Sequence, residues 1–163
     1  MSDNIIAGVI AALISGPILA FFFFFLKEKV FGMPDITGKW YFEMTTVNSD
    51  YNPFNGMVLR YIAIIWREGN KLSGTVEKVY ENSSTGEREY VGEKRSRGYV
   101  EGYYELNYFS KDKIYIHIKE QGSGRESTNY FELIRANNSL FTGAFNSFVA
   151  NQDGLSIWQR EQF

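Results

Sequence analysis

Arginine and aromatic side chains follow one another closely at several points of the chain, a pairing typical of sites that bind flat, anionic molecules. Arg60 directly precedes Tyr61, and Arg97 stands two residues before Tyr99. Guanidinium groups form paired hydrogen bonds with phosphate oxygens, and aromatic faces stack on nucleobases. An inward-facing Asn146 could read the edge of a base. We predict that the ligand-binding residues are Arg60, Trp66, Arg97, Tyr99, Tyr104, Tyr108, Asn146 and Trp158.

Residues that could carry out catalysis are scarce. The one histidine, His117, alternates with isoleucines in a pattern that predicts an exposed strand position. A serine triad would depend on it, yet no nucleophile-elbow motif is present. The sequence has no phosphate-binding loop, His-rich metal motif or EF-hand loop, and it has no cysteine for a thiolate site. We therefore predict a binding protein that is not an enzyme, with no metal and no cofactor.

An uncharged, strongly apolar segment from Ile5 to Leu26 precedes the rest of the chain. At a rise of 1.5 Å per residue it would form a helix about 33 Å long, enough to cross a bilayer. Lys27 and Lys29 follow it and no Lys or Arg precedes it, so the C-terminal side is expected in the cytoplasm. A cleaved signal peptide is the alternative, but the basic start and the small-residue cleavage site are missing. We predict a single-pass transmembrane anchor over residues 1–30, in the bacterial inner (cell) membrane.

One side of this segment carries a small residue at every fourth position. Small residues at this spacing let two helices approach closely in lipid, which favours a homo-oligomer. The alternative is that glycine and alanine are simply common in membrane helices. Pro17 removes one backbone donor and is expected to kink the helix. The predicted self-association residues are Gly8, Ala12, Gly16 and Ala20.

Alternating apolar and polar residues, separated by turn signals, predict an all-β domain over residues 36–163 that lies in the cytoplasm. About eight strands at regular spacing allow a sandwich or a barrel. Successive hairpins favour an antiparallel up-and-down barrel of the lipocalin-like kind, whose interior can hold one small ligand. The predicted strands include Met57 to Arg67, Leu72 to Tyr80, Glu89 to Val100, Tyr103 to Phe109, Leu140 to Phe148 and Leu155 to Arg160, with a polar turn from Glu81 to Glu87.

The chain resembles the membrane-anchored β-barrel effectors of bacterial cyclic-oligonucleotide anti-phage signalling (CBASS). The resemblance spans most of the chain and rests on the apolar N-terminal segment and on three motifs. These are Ile36-Thr37-Gly38-Lys39-Trp40 at the first strand, Leu72-Ser73-Gly74 at a later strand, and the closing hairpin from Leu140-Phe141-Thr142-Gly143 to Trp158. Those effectors typically carry two transmembrane helices, whereas this chain has one apolar segment.

The resemblance implies a ligand-gated membrane effector. Its barrel would bind a cyclic di- or oligonucleotide made by a partner nucleotidyltransferase, and binding would cluster the anchors and disrupt the inner membrane. A membrane-tethered, lipocalin-like module for a small hydrophobic ligand is the alternative. A third possibility is a β domain that only docks other proteins. The formal net charge of −2 gives no general attraction to DNA, and no DNA partner is expected.

Overall fold

The computed structural model describes residues 2–26, 34–107, 110–122 and 126–163. The chain divides into two compact units, residues 1–34 and residues 35–163. The first contains one helix, α1 (Ser2–Phe25), which continues through Pro17. A helix was predicted there. In the described part of the chain, however, no helix combines the length and the apolar character needed to cross a bilayer. The predicted transmembrane anchor is therefore not confirmed.

The second unit is a closed antiparallel barrel of eight strands with a ninth strand added at one side. Each barrel strand pairs with the strands that precede and follow it along the barrel, and β1 closes the ring by pairing with both β2 and β9. This is the predicted up-and-down topology. The strands are β1 (Gly38–Asn48), β2 (Val58–Glu68), β3 (Lys71–Ser83), β4 (Gly86–Glu89), β5 (Arg97–Glu105), β6 (Lys113–Gln121), β7 (Glu126–Asn137), β8 (Leu140–Ser147) and β9 (Gln152–Gln159).

The ninth strand, β4, replaces the predicted polar turn from Glu81 to Glu87. β3 runs on to Ser83 and turns back through Gly86 into β4, which pairs with no other strand in the described part of the chain. Gly86 has a φ of 100°, which a side chain would strain. The predicted strand Glu89 to Val100 is also wrong in part, because a 3₁₀ turn at Gly92–Lys94 interrupts it and β5 begins only at Arg97.

An aromatic stack fills the middle of the barrel. The ring of Phe42 lies between Tyr61, with centroids 4.7 Å apart, and Trp158, at 4.0 Å. Phe131 meets the edge of this stack, 5.7 Å from Phe42. All four side chains are at most 2% exposed. The middle of the barrel is therefore a packed core, and space for a ligand inside the barrel lies towards an end.

Glycines on the inner face let the barrel wall curve tightly. A Cβ atom on Gly154 would lie 2.0 Å from the carbonyl oxygen of Thr45 and 2.7 Å from the ring of Phe145. A Cβ atom on Gly143 would lie 2.0 Å from the carbonyl oxygen of Glu132. Real Cβ atoms do not approach backbone so closely, so these positions require glycine. Glycines of this kind relieve the crowding that arises when a twisted sheet closes into a barrel.

A hydrogen-bonded cluster around Asp112 closes one end of the barrel. The carboxylate of Asp112 accepts hydrogen bonds from the Tyr104 hydroxyl, from the Asn107 backbone N–H at 3.0 Å and from Arg135 at 2.9 Å. At the same end the guanidinium of Arg160 stacks on the Trp40 ring at 4.0 Å. These contacts give the Asp112 carboxylate three hydrogen-bond partners and cover the Trp40 ring at this end of the barrel.

Acid is expected to weaken this closed end. Burial raises the pKa of Asp112, but the hydrogen bonds from Tyr104, Asn107 and Arg135 outweigh burial and lower the pKa below its ordinary value. A carboxyl whose pKa is lower in the folded protein stabilises the fold above the unfolded-state pKa of about 3.9, and the contribution disappears as pH falls through the folded-state pKa. Asp112→Asn should therefore destabilise the protein at pH 7, and the difference from wild type should shrink below about pH 4. Urea unfolding at pH 7 and pH 3 measures this, and a difference that does not change with pH would contradict it.

Candidate ligand-binding site at the open end of the barrel

The end of the barrel opposite the Asp112 cluster is open and lined by polar side chains. The inner faces of β6 to β9 present Glu120, Asn129, Ser147 and Gln152 there, each 6 or 7% exposed. The strand register brings three of them side by side, because Asn129 pairs with Ser147 and Ser147 pairs with Gln152. Polar side chains at inner-face positions are costly unless they have partners. We call this group, together with Lys78 and Glu81 of β3, the polar mouth.

A bulge in β3 places Glu81 on the same inner face as Lys78, so that both line the polar mouth. The register with β2 shifts at Val79, because Tyr61 pairs with Lys78 and Arg60 pairs with Tyr80. Side chains of a strand alternate between its faces, and one extra residue reverses the alternation. Lys78 and Glu81 therefore line the same cavity although they are three residues apart.

Hydrogen bonds and ion pairs connect the charged residues of the mouth. The Tyr61 hydroxyl donates to Glu120 at 2.9 Å, and the Lys78 ammonium lies 3.8 Å from the other Glu120 oxygen. Lys78 also lies 3.3 Å from Glu81, which accepts a hydrogen bond from the Tyr90 hydroxyl at 2.9 Å. Burial, and then the Glu120 carboxylate, raise the pKa of Tyr61 well above its ordinary value, so this hydroxyl keeps its proton.

Asn129 differs from the other polar side chains of the mouth. Thr46 donates to Gln152 at 3.1 Å, and Gln152 in turn donates to the Val149 carbonyl at 2.8 Å. The amide of Asn129 lines the cavity but makes no hydrogen bond with any residue that the structure describes. The amide opens onto the cavity and is not sealed from solvent, since the described residues include one sealed polar side-chain atom without a partner, the Trp158 indole nitrogen. An amide that is 6% exposed and faces a cavity is therefore available to a bound molecule.

The cavity at this end has a volume of about 390 Å³, within the range of small-molecule sites. The apolar residues that line it include Met44, Met57, Leu59, Tyr61 and Val149. An apolar lining with a few converging polar groups is typical of a small-molecule binding site. No group of three or more Asp, Glu or His residues in the described part of the chain is arranged to hold a metal ion.

The predicted ligand-binding residues do not converge on this cavity. Trp158 and Tyr104 are 1% exposed in the core and at the closed end, and the indole N–H of Trp158 has no partner among the described residues. Tyr108 lies outside the described residues. The others lie on the outer wall of the barrel: Arg60, Trp66, Arg97, Tyr99 and Asn146.

Arg60 is the predicted residue with the most developed surroundings. Its guanidinium lies over the rings of Tyr80 at 4.8 Å and Phe163 at 5.5 Å, and its Nε donates to Glu43 at 2.8 Å. Arg60, Tyr80 and Phe163 border an outer cavity of about 230 Å³. Glu43 already neutralises Arg60, and the second arginine of this cavity, Arg95, pairs with Glu77 at 2.9 Å. The pairing weakens the attraction of this cavity for an anion.

The residues that sequence reasoning missed are the inward polar ones. The sequence does carry a signal for two of them. Glu120 continues the alternation of Ile114, Ile116 and Ile118 on the inner face of β6. Lys78 continues that of Leu72, Gly74 and Val76 on the inner face of β3. A carboxylate where the next apolar residue is expected indicates a functional position. Glu81 gives no such signal, because the bulge at Val79 reverses the alternation before it.

Comparison with known proteins reveals the fold and no family. The chain matches no protein-family model and no curated protein sequence. Two solved structures are similar to it, both redesigned β-barrels. One is mFAP1 bound to DFHBI, with a TM-score of 0.52, 13% identity, and coverage of 77% of this chain and 94% of that chain. The other is b11L5F_LGL, with a TM-score of 0.51, 12% identity, and coverage of 78% and 92%.

Proposed function

We propose that the barrel is the sensor of an anti-phage effector and that a cyclic nucleotide second messenger binds in its polar mouth. The observation that carries the proposal is the Asn129 side chain, which is 6% exposed, lines an open cavity of about 390 Å³ and has no hydrogen-bond partner among the described residues. A side-chain amide that faces a cavity without a protein partner can donate and accept hydrogen bonds with a bound molecule. One of the two similar barrels is bound to a small molecule, DFHBI, which is consistent with a ligand site in a barrel of this shape.

The distribution of charge in the mouth suits a nucleotide oriented with its base inward. The deep groups, Asn129 and Glu120, form hydrogen bonds with a planar polar edge. Lys94 lines the same cavity and is exposed at its rim, where an ammonium can meet a phosphate. A purely hydrophobic ligand fits less well, because it would cover the Asn129 amide and the Glu120 carboxylate without giving them partners. The alternative function, a carrier for a hydrophobic molecule, is therefore less well supported.

The effector half of the proposal concerns α1. Phe21 to Phe25 are between 48% and 69% exposed, and contiguous apolar surface of this kind needs lipid or other copies of the chain to cover it. We propose that ligand binding makes copies associate through α1 at the inner membrane, which then loses its integrity. Gly8, Ala12, Gly16 and Ala20 remain the predicted contact residues. Ultracentrifugation of the detergent-bound chain with and without ligand tests this half, and an oligomer size that ligand does not change would contradict it.

Calorimetry of the full chain in detergent against cyclic di- and trinucleotides tests the sensor half. Asn129→Ala should weaken binding about tenfold, the value of one hydrogen bond, without lowering the stability of the fold. Stability should be kept because the amide has no partner in the described part of the chain to lose. The matched control is Arg97→Ala, on the outer wall with a side chain that is 73% exposed, which should bind as the wild type does. Absence of binding, or binding weakened only by the Arg97 variant, would contradict the proposal.

A further inference from the structure

We infer that the polar mouth is built to receive a guanine base, an inference that rests on the proposed nucleotide-binding function. The determining group is Glu120, which lines the cavity and is 6% exposed. An ionised carboxylate accepts hydrogen bonds and donates none. One of its oxygens accepts from Tyr61, whereas Lys78 lies 3.8 Å from the other, beyond hydrogen-bond distance. The carboxylate therefore has acceptor sites left for a ligand that offers donors.

Guanine offers the matching edge. Its ring N1–H and its exocyclic amino group lie side by side and can donate to the two oxygens of one carboxylate. Adenine presents a lone pair at N1, and cytosine presents a lone pair at N3. Either lone pair would face the Glu120 carboxylate with like partial charge. Uracil has a single N–H between two carbonyl groups, so one of its oxygens would also face the carboxylate.

The remaining partners of guanine are also present. Ile118 of β6 pairs with Asn129 of β7, so Glu120 and Asn129 are diagonal neighbours on one inner face. Such neighbours stand about 7–8 Å apart, which leaves room for the edge of a base between the two side chains. The Asn129 amide and the Lys78 ammonium can both donate to the guanine carbonyl oxygen. This arrangement gives partners both to Asn129 and to the unused acceptor sites of Glu120.

Titration of the full chain in detergent with cyclic di-GMP and cyclic di-AMP tests the inference. The two probes differ only in their bases, and the guanine ligand should bind roughly 10- to 100-fold more tightly, as expected for hydrogen bonds to a charged group. Glu120→Gln places an N–H against the donors of guanine and should remove most of this preference. The control is Glu43→Gln, a carboxylate on the outer wall that pairs with Arg60, and the preference should persist there.

The outcomes separate the inference from the proposed function. Tighter binding of cyclic di-AMP, if Asn129→Ala weakens it, would overturn the guanine assignment and leave the sensor proposal intact. Failure of every cyclic nucleotide to bind would overturn both. Urea unfolding of Glu120→Gln shows whether that variant folds. If it does not, the preference of the wild-type chain between the two probes still decides the question.

Discussion

Gly154→Ala is expected to lower the free energy of unfolding by about 3 kcal/mol, a large part of the stability of a small domain. A Cβ atom there would lie 2.0 Å from the carbonyl oxygen of Thr45, which belongs to the neighbouring strand β1. It would also lie 2.7 Å from the ring of Phe145, inside the barrel. Relief requires the wall itself to move, because the nearest atom belongs to the backbone. Urea unfolding monitored by circular dichroism measures the change.

Gly69→Ala is the control for this experiment. Gly69 lies in the turn between β2 and β3 with a φ of 62°, and no atom lies within 4 Å of an added Cβ. The left-handed conformation alone costs about 1–2 kcal/mol for a residue with a side chain. A loss for Gly154→Ala no larger than that for Gly69→Ala would contradict the close approach of β9 to β1.

Phe42→Ala is expected to cost about 3–5 kcal/mol, the usual range for removing a large aromatic side chain from a core. Phe42 is 0% exposed and stacks between Tyr61 and Trp158. Its removal would leave a cavity at the centre of the barrel and remove three ring contacts, with Tyr61, Phe131 and Trp158. The tryptophan fluorescence should also change, because Trp158 loses the ring that lies 4.0 Å away.

The matched control for Phe42 is Phe148→Ala. Phe148 follows β8 and is 80% exposed, so its truncation should change stability by no more than about 0.5 kcal/mol. Equal losses in the two variants would mean that the aromatic stack is not the core of the domain. A loss confined to Phe42→Ala supports a core built around the stack of Phe42 between Tyr61 and Trp158.

The barrel could be predicted from the sequence because apolar and polar residues alternate along most of its strands, with the apolar residues facing inward. Ile114, Ile116 and Ile118 all face inward, and His117 faces outward as predicted. In β2 the residue pattern does not indicate which face is buried, because Ile64 is apolar and yet 48% exposed. Alternation reports burial only where the outer face is polar.

The candidate site could not be predicted because its position depends on register and on one bulge. Arginine next to an aromatic residue suggested a ligand, but adjacent strand residues point to opposite faces. Arg60 therefore lies on the outer wall while Tyr61 lies in the core. The meeting of Lys78 with Glu120 requires β5 to pair with both β3 and β6, and no local sequence pattern contains that pairing order. The predicted residues were selected by side-chain type, whereas the residues of the polar mouth share a location on the inner face at one end of the barrel.

The side-chain amide signals of the protein test most directly whether ligand binds at the polar mouth. The full chain, labelled with nitrogen-15 and held in detergent, would be titrated with cyclic di-GMP and followed by nuclear magnetic resonance. We predict a saturable shift of the Asn129 amide signal and no shift of Asn146, which is exposed on the outer wall. A shift of Asn146 with Asn129 unchanged, or no shift of either at saturating concentration, would contradict binding at the polar mouth.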